Sequence, residues 1–229
     1  MGTMLPYSIG PTPPYNLPYD TAFPTATIPW FGNDRVDDCV IVARAHHTIR
    51  LDYGAAKPVP AISEPDVTTE FNIESQLSGT MSLDLGTSLR RWRDYGWTAG
   101  GVGPRKITQV YGPYSPILPD PNSDYSDTEM DANQVCNAIY RYSGAHAQLL
   151  LPGSIDASLP WTFGDQTLWS DTSGAPARAH TMLLIGYDQN GPIGLTWGAR
   201  QHMTWQFLVR YCSIVSMSGL FFVIPDGST

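Results

Sequence analysis

The sequence predicts an α+β protein in which helices come first along the chain and strands follow. Up to Tyr142, apolar residues recur at spacings of three and four, which is typical of amphipathic helices. After Tyr142, short apolar runs bounded by proline or glycine indicate strands. Because the two kinds of segment are segregated rather than alternating, we expect an N-terminal helical lobe that faces a C-terminal antiparallel sheet lobe.

The clearest helix is predicted over residues 38–53. One of its faces carries a set of residues at helical spacing: Cys39, Val42, Ala43, His46 and Ile49. Asp37 or Asp38 is a suitable N-cap, and Gly54 is a suitable stop. Three further helices are predicted: 65–76, 87–95 and 127–142. The segment 100–126 is rich in glycine, proline, aspartate and serine, so it is predicted to be a loop.

Four strands are predicted in the second half of the chain: 147–151, 180–187, 194–198 and 220–224. Residues 1–30 are predicted to be an extended arm, because seven prolines fall between Pro6 and Pro29 and proline disfavours helix interiors and central strands. Two roles for the arm stay open: a strap packed over the domain surface, or an inhibitory segment near a cleft. Residues 31–229 have a length that fits a single domain.

The composition excludes several classes of protein. The chain has 229 residues, of which 42 % are hydrophobic and 15 % charged, with a net charge of −8. This balance excludes a disordered chain and argues against nucleic acid as a partner. Three cysteines form no disulfide framework, no zinc-ligand spacing is present, and no apolar run suits a membrane span or a signal peptide. The compartment and the oligomeric state stay open.

Cys39 and His180 are the candidate catalytic pair. Cys39 lies in the first turn of the 38–53 helix, where unpaired backbone N–H groups and the helix dipole favour an anion. We therefore expect the pKa of the Cys39 thiol to fall. His180 begins a predicted strand 141 residues downstream, close to the ~130–150 residues that separate cysteine and histidine in one class of cysteine enzymes. A histidine in this position can accept the thiol proton.

Charged residues beside Cys39 act in both directions. Asp37 and Asp38 are interpreted as capping charges rather than catalytic acids, and their negative charge opposes a thiolate. Arg35 and Arg44 are expected to offset this effect.

The remaining histidines and cysteines have simpler interpretations. His46 is about 10 Å along the helix from Cys39, so we interpret it as a buried core histidine. His47 points to another side of the helix and is predicted to be solvated. Cys136 and Cys212 are predicted to be inert core residues.

Three motifs resemble those of the papain-like cysteine peptidase superfamily. The first is the segment 33–39, NDRVDDC, which leads into a helix. The second is Ala179-His180 at the start of a strand that ends in Gly186-Tyr187-Asp188, and the third is Thr196-Trp197-Gly198, which resembles the family's Asn-Ser-Trp-Gly segment. More loosely, the chain resembles a bacterial and phage-associated branch of papain-like proteins of unassigned role.

The resemblance implies a two-lobe papain-like fold and a cysteine peptidase with a peptide or protein substrate and no cofactor or metal. Cys39 would be the nucleophile and His180 the general base and acid. Asn33 takes the place of a glutamine that, in the family, donates to the oxyanion six residues before the nucleophile. Trp197 would cover the histidine.

One position departs from the family pattern. The asparagine that orients the histidine maps to Leu195, which cannot accept a hydrogen bond. Strand alternation is expected to direct Thr196 to the face opposite Leu195, and the turn residues 188–190 offer other partners for His180. This departure keeps two alternatives open beside a peptidase: a catalytically degenerate binding or structural module, and an amidase or acyltransferase with the same pair of residues.

Overall fold

The computed structural model describes residues 23, 28–33, 35–117, 129–153, 155, 168–212 and 219–226. Within these residues the helices are α1 (Cys39–Gly54), α2 (Glu64–Ser78), α3 (Leu85–Asp94), α4 (Ala132–Tyr142) and α5 (Trp205–Tyr211). The first four strands are β1 (Trp97–Ala99), β2 (Val102–Arg105), β3 (Ile107–Pro116) and β4 (Glu129–Met130). The others are β5 (Ala145–Pro152), β6 (Pro176–Tyr187), β7 (Pro192–Thr196), β8 (Ala199–His202) and β9 (Gly219–Pro225).

The helix starts follow from local capping chemistry. α2 begins with a capping box in which Ser63 and Asp66 exchange side-chain and backbone hydrogen bonds, and Gly79 ends it in the left-handed conformation. α4 begins in the same way at Asp131. α1 differs, because Asp38 occupies its N-cap position but makes no side-chain capping bond. The carboxyl of Asp38 is therefore available for another partner.

A seven-stranded sheet with the order β4-β3-β9-β5-β6-β7-β8 forms the centre of the molecule. Its pairings are antiparallel, apart from the parallel pairing of β3 with β4. β1 and β2 form a separate small hairpin. β6 is the strand that matters most for function, because it lies between β5 and β7 and carries His180.

Helices cover both faces of the sheet. α1, α2 and α3 pack on one face in a hydrophobic core that includes Leu183 and Leu195; we call this the α1 core. α4 and α5 pack on the other face in a core that includes Met182, Leu184 and Trp197; we call this the α4 core. Successive residues of β6 thus enter different cores, as the two-residue period of a strand requires.

The α+β fold class is confirmed, and the predicted helices and strands are present with shifted ends. The prediction of a loop over 100–126 was wrong for its first part, because β2 and β3 lie within it and β3 pairs with β9. The rest of that loop, from residue 118, lies outside the described residues. The fourth helix begins after Asp131 rather than at Asp127. The prediction did not include β1, β8 or α5.

Most of the predicted N-terminal arm, residues 1–30, lies outside the described residues. Phe23 and Ile28 are described, and both are buried in the α1 core. Within the described part of the chain, no helix has the length and apolar character needed to cross a membrane.

Candidate active site

Cys39 begins α1 and faces β6. Its residue surface is only 7 % exposed. The backbone and the side chain of Thr181, the residue after His180, both form hydrogen bonds with the thiol. The candidate nucleophile is therefore held against the strand that carries the candidate base.

The prediction of a lowered thiol pKa was wrong for this arrangement. Burial, assisted by the negative charges of Asp37 and Asp38, raises the pKa of the Cys39 thiol to about 12. The two arginines expected to offset these charges have other partners. Arg35 pairs with Glu64 at 2.6 Å, and Arg44 is buried among acidic residues of α2. The effect of desolvation on the thiol pKa is therefore larger than the opposite effect of the helix start.

His180 is held by two neighbours at the end of β7. Its Nε2 lies 2.6 Å from Oγ1 of Thr196, and its ring stacks on Trp197 with centroids 4.2 Å apart and planes 21° apart. Burial, with a smaller contribution from Arg178, lowers the pKa of His180 to about 3. The ring is therefore neutral at physiological pH, the state in which a histidine accepts a proton.

Cys39 and His180 lie on neighbouring parts of the fold. These two described residues form no hydrogen bond with each other. The thiol bonds to Thr181, and the imidazole bonds to Thr196. Cys39 belongs to the α1 core, and Trp197, on which the His180 ring stacks, belongs to the α4 core. The bond from Nε2 to Thr196 leaves Nδ1 of His180 as the nitrogen for a second partner.

Asn33 lies in the turn just before α1, as expected for an oxyanion donor. In this arrangement its side-chain amide donates to Oδ1 of Asp38 at 3.0 Å and more weakly to the carbonyl of Val36 at 3.4 Å. Both amide hydrogens thus have protein acceptors. Reaching an oxyanion would require Asn33 to release Asp38.

Thr196, rather than a residue of the 188–190 turn, is the partner of His180. The expectation that strand alternation directs Thr196 away from Leu195 agrees with the burial of Leu195 in the α1 core. The mistake was to place His180 on the side of Leu195. Asp188 instead accepts backbone N–H groups from its own turn and pairs with His202.

A positive φ explains why two successive residues both reach His180. Trp197 has φ 43° and Gly198 has φ 74°, so the chain leaves the strand conformation directly after Thr196. The Trp197 ring then lies over the histidine instead of pointing to the opposite face. The Trp-Gly pair was a visible turn signal, and it could have led to Thr196.

The described end of the N-terminal arm touches this turn. A Cβ on Gly198 would lie 2.0 Å from Nε1 of Trp30, so glycine allows the Trp30 ring to pack closely there. The carbonyl of Pro29 is 2.9 Å from Nε2 of His46, and the rings of Phe23 and Phe31 contact His46. The segment is thereby fixed between α1 and the Trp197-Gly198 turn.

The other histidine and cysteine predictions have mixed outcomes. His46, Cys136 and Cys212 are buried, as expected. The prediction of a solvated His47 was wrong, because its Nδ1 lies 2.9 Å from Nε2 of His146 in the interior. Sequence periodicity did not reveal this pair, because its partner residue is 99 positions away.

No metal site is indicated in the part of the chain that the structure describes. Among those residues, no group of three or more histidine, cysteine, aspartate or glutamate side chains could hold a metal ion. Two cavities of about 360 and 520 Å³ share Asp52, Lys57 and Arg105 in their walls. They lie at the C-terminal end of α1, away from Cys39.

Comparisons with known proteins support the fold. No protein-family model matches the sequence, and no curated protein matches it. Among solved structures, the chain is similar to xylellain, a cysteine protease from Xylella fastidiosa. The TM-score is 0.56 at 10 % sequence identity, over 93 % of this chain and 84 % of that chain. The chain therefore has the papain-like α+β fold, with the helix start at Cys39 facing the strand of His180.

Proposed function

We propose that the protein is a papain-like cysteine peptidase that cleaves amide bonds through a thioester on Cys39. The observation that carries this proposal is the position of the two residues. A thiol at the start of α1 touches Thr181, whose neighbour on β6 is a neutral, tryptophan-covered histidine. The similarity to a cysteine protease adds support at the level of the fold.

The chemistry requires four steps at these residues. His180 takes the proton of the Cys39 thiol, and the sulfur attacks the carbonyl carbon of the substrate. The resulting oxyanion would be bound by the backbone N–H of Cys39 and the Asn33 amide, each such donor being worth about 3–4 kcal/mol. The C–N bond breaks as His180 returns the proton to the leaving amine. Water, deprotonated by His180, then hydrolyses the thioester and releases the acid.

The resting arrangement must change before the first step. Nδ1 of His180 has to approach the thiol, and the Asn33 amide has to leave Asp38. We propose that substrate entry drives both changes, because apo hydrogen bonds at active sites are often misaligned until a substrate binds. The high pKa of Cys39 is then a property of the resting site.

A catalytically degenerate binding module is the second candidate. It is favoured by one observation, the burial of Cys39 with a pKa raised to about 12. An amidase or acyltransferase would use the same residues with a different substrate or acceptor. The fold similarity does not separate these activities, because substrate choice depends on the loops around a site.

Peptide cleavage and thiol trapping test the proposal together. Wild type, Cys39→Ser and His180→Ala are incubated with a mixed peptide library, and cleavage is followed by mass spectrometry. In parallel, each protein is treated with a peptidyl epoxide, which enters a peptide cleft, and with iodoacetamide, which needs none. We expect cleavage and epoxide adducts at Cys39 in wild type alone, while Cys136 and Cys212 serve as buried internal controls.

Other outcomes assign the alternatives. Peptide binding without cleavage or epoxide labelling would contradict the peptidase and favour the binding module. Transfer of an acyl group to an added amine in place of water would favour the acyltransferase.

A further inference from the structure

The hydroxyl of Thr196 forms a hydrogen bond with the His180 ring. The two side chains meet at 2.6 Å between Oγ1 and Nε2. Thr196 is 2 % exposed and His180 is 3 % exposed, so water competes little for this bond. A buried hydrogen bond of this length holds the ring more firmly than a solvated one.

The geometry allows the hydroxyl to choose which nitrogen carries the proton. A neutral imidazole has one N–H and one bare nitrogen, and the bond made by one nitrogen sets the state of the other. If Nε2–H donates to Thr196, Nδ1 is bare and able to accept a thiol proton. If the hydroxyl donates to Nε2 instead, Nδ1 carries the hydrogen and cannot act as a base.

Strand pairing fixes the position of Thr196 beside the His180 ring. Leu195 pairs with Leu183 across β6 and β7, and Thr196 pairs with Ala199 at the turn into β8. Between these two pairings the position of Thr196 is fixed on both sides. The stacked Trp197 ring covers the histidine and limits its rotation about χ2.

We propose that Thr196 is the positioning residue of the site: its Oγ1 accepts the Nε2 hydrogen of His180 and so keeps Nδ1 bare, as a general base for Cys39 requires. This inference rests on the proposed peptidase function for its catalytic consequence. Leu195 cannot orient the histidine, because its side chain has no hydrogen-bonding group. The hydroxyl of Thr196, the next residue along the chain, takes this role.

Nitrogen NMR of wild type tests the tautomer without any activity measurement. With the protein labelled with ¹⁵N at histidine, His180 is assigned by its loss in His180→Ala. At pH 7 we expect a protonated Nε2 and a bare Nδ1. A protonated Nδ1 in wild type would overturn the proposal.

Two variants test the catalytic consequence. Thr196→Val keeps the shape but removes the hydroxyl, and Thr196→Ser keeps the hydroxyl. We expect Thr196→Val to lower kcat/KM by about 10- to 100-fold, in line with the loss of other orienting partners, with a changed pH profile and a mixed tautomer population. Thr196→Ser should keep the tautomer and most of the activity.

The outcomes separate this inference from the proposed function. If wild type has no Cys39-dependent cleavage, the peptidase proposal fails, while the tautomer measurement still decides the role of Thr196 in holding the ring. If wild type cleaves peptides and Thr196→Val keeps its tautomer, pH profile and kcat/KM, the positioning role is refuted and the peptidase proposal stands. If Thr196→Val does not fold, the wild-type tautomer and Thr196→Ser carry the test.

Discussion

The side-chain amide of Asn33 donates a hydrogen bond to the carboxylate of Asp38 at 3.0 Å, directly before the candidate nucleophile. The other oxygen of Asp38 is buried and has no hydrogen-bond partner among the described residues. Burial raises the pKa of the Asp38 carboxyl to about 6. Above this pH an ionised carboxylate both holds the proposed oxyanion donor and opposes a thiolate at Cys39.

Neutralising Asp38 is expected to activate the thiol. Asp38→Asn removes the charge and keeps an acceptor for Asn33, so the pKa of Cys39 should fall. Alkylation of Cys39 by iodoacetamide at pH 8 should then be several-fold faster, since the gain in thiolate exceeds its loss of nucleophilicity. Peptide mass spectrometry gives the rate for Cys39 alone.

Two control variants separate local charge from other effects. Asp37 is exposed and also raises the thiol pKa, so Asp37→Asn should accelerate labelling without touching the Asn33 bond. Asp171 is exposed and makes its hydrogen bonds within its own turn, so Asp171→Asn should leave the rate unchanged. Equal rates in all three variants and wild type would contradict the electrostatic account.

Thr181 is expected to stabilise the thiolate form of Cys39. Its backbone and hydroxyl both hydrogen-bond the sulfur and lower the thiol pKa against the larger effect of burial. Thr181→Val keeps the volume and removes the hydroxyl, so alkylation of Cys39 should slow at every pH below the thiol pKa. Faster labelling in Thr181→Val would mean that the hydroxyl shields the sulfur instead of stabilising its charge.

The sequence was sufficient to predict the parts of the fold that depend on local signals. The 38–53 helix was predicted from its periodicity, and the strand of His180 from a short apolar run. β3 was missed because Gly112-Pro113 interrupts it, and its partner strand, β9, is more than a hundred residues away. Pairing over such a distance overrides a local loop signal.

The elements that carry the candidate site residues could be predicted from the sequence, but the contacts of these residues could not. The motifs placed Cys39, His180 and Asn33 on the correct elements. Three features were not predicted: the bond from His180 to Thr196, the bond from Asn33 to Asp38 and the raised pKa of Cys39. Each depends on burial or on a positive φ in a turn, which residue spacing does not encode.

The buried pair of His47 and His146 has a defined proton arrangement. The carbonyl of Tyr142 lies 2.9 Å from Nε2 of His47 and can only accept, so that nitrogen carries a hydrogen. Nδ1 of His47 is then bare and accepts from Nε2–H of His146. Nδ1 of His146 is left bare, and no described residue forms a hydrogen bond with it. Both rings are therefore neutral in the folded protein.

This pair is expected to make folding sensitive to acid. Burial lowers the pKa of His47 to about 4 and that of His146 well below its usual value of 6.5. As the pH falls from about 6.5 to 4, these histidines bind protons in the unfolded chain but stay largely neutral in the folded chain. The free energy of unfolding therefore decreases. For His47 alone the loss is about 3 kcal/mol across this window.

Urea unfolding between pH 4 and pH 7 measures the effect. His47→Gln keeps a side chain that can hydrogen-bond to Tyr142 or His146, and it should lose less stability on acidification than wild type, even if it is less stable at pH 7. His202→Gln, at a half-buried position beside Asp188 and outside this pair, shows how far the loss of a histidine elsewhere changes the slope. A parallel slope in His47→Gln would contradict this account, because it would show that His47 binds protons equally well in the folded and the unfolded chain.

The N-terminal segment is expected to act as a strap that stabilises the site from outside. Ile28 is 6 % exposed in the α1 core, Pro29 bonds His46, and Trp30 packs on Gly198. Ile28→Ala should therefore lower the free energy of unfolding by about 2 kcal/mol, whereas Leu77→Ala, at a residue 69 % exposed, should change it little.

Deletion of residues 1–28 distinguishes the strap from an inhibitor. A strap predicts a lower unfolding free energy, because Phe23 and Ile28 leave the α1 core. It also predicts peptide cleavage that is unchanged or reduced, because Trp30 loses the segment that holds it against the Trp197-Gly198 turn. An inhibitory arm predicts nearly unchanged stability and faster cleavage. Trp30→Ala in the full chain gives the same comparison with a single side chain. Raised turnover in both proteins would reject the strap, since a side chain that supports the turn over His180 cannot also limit access to it.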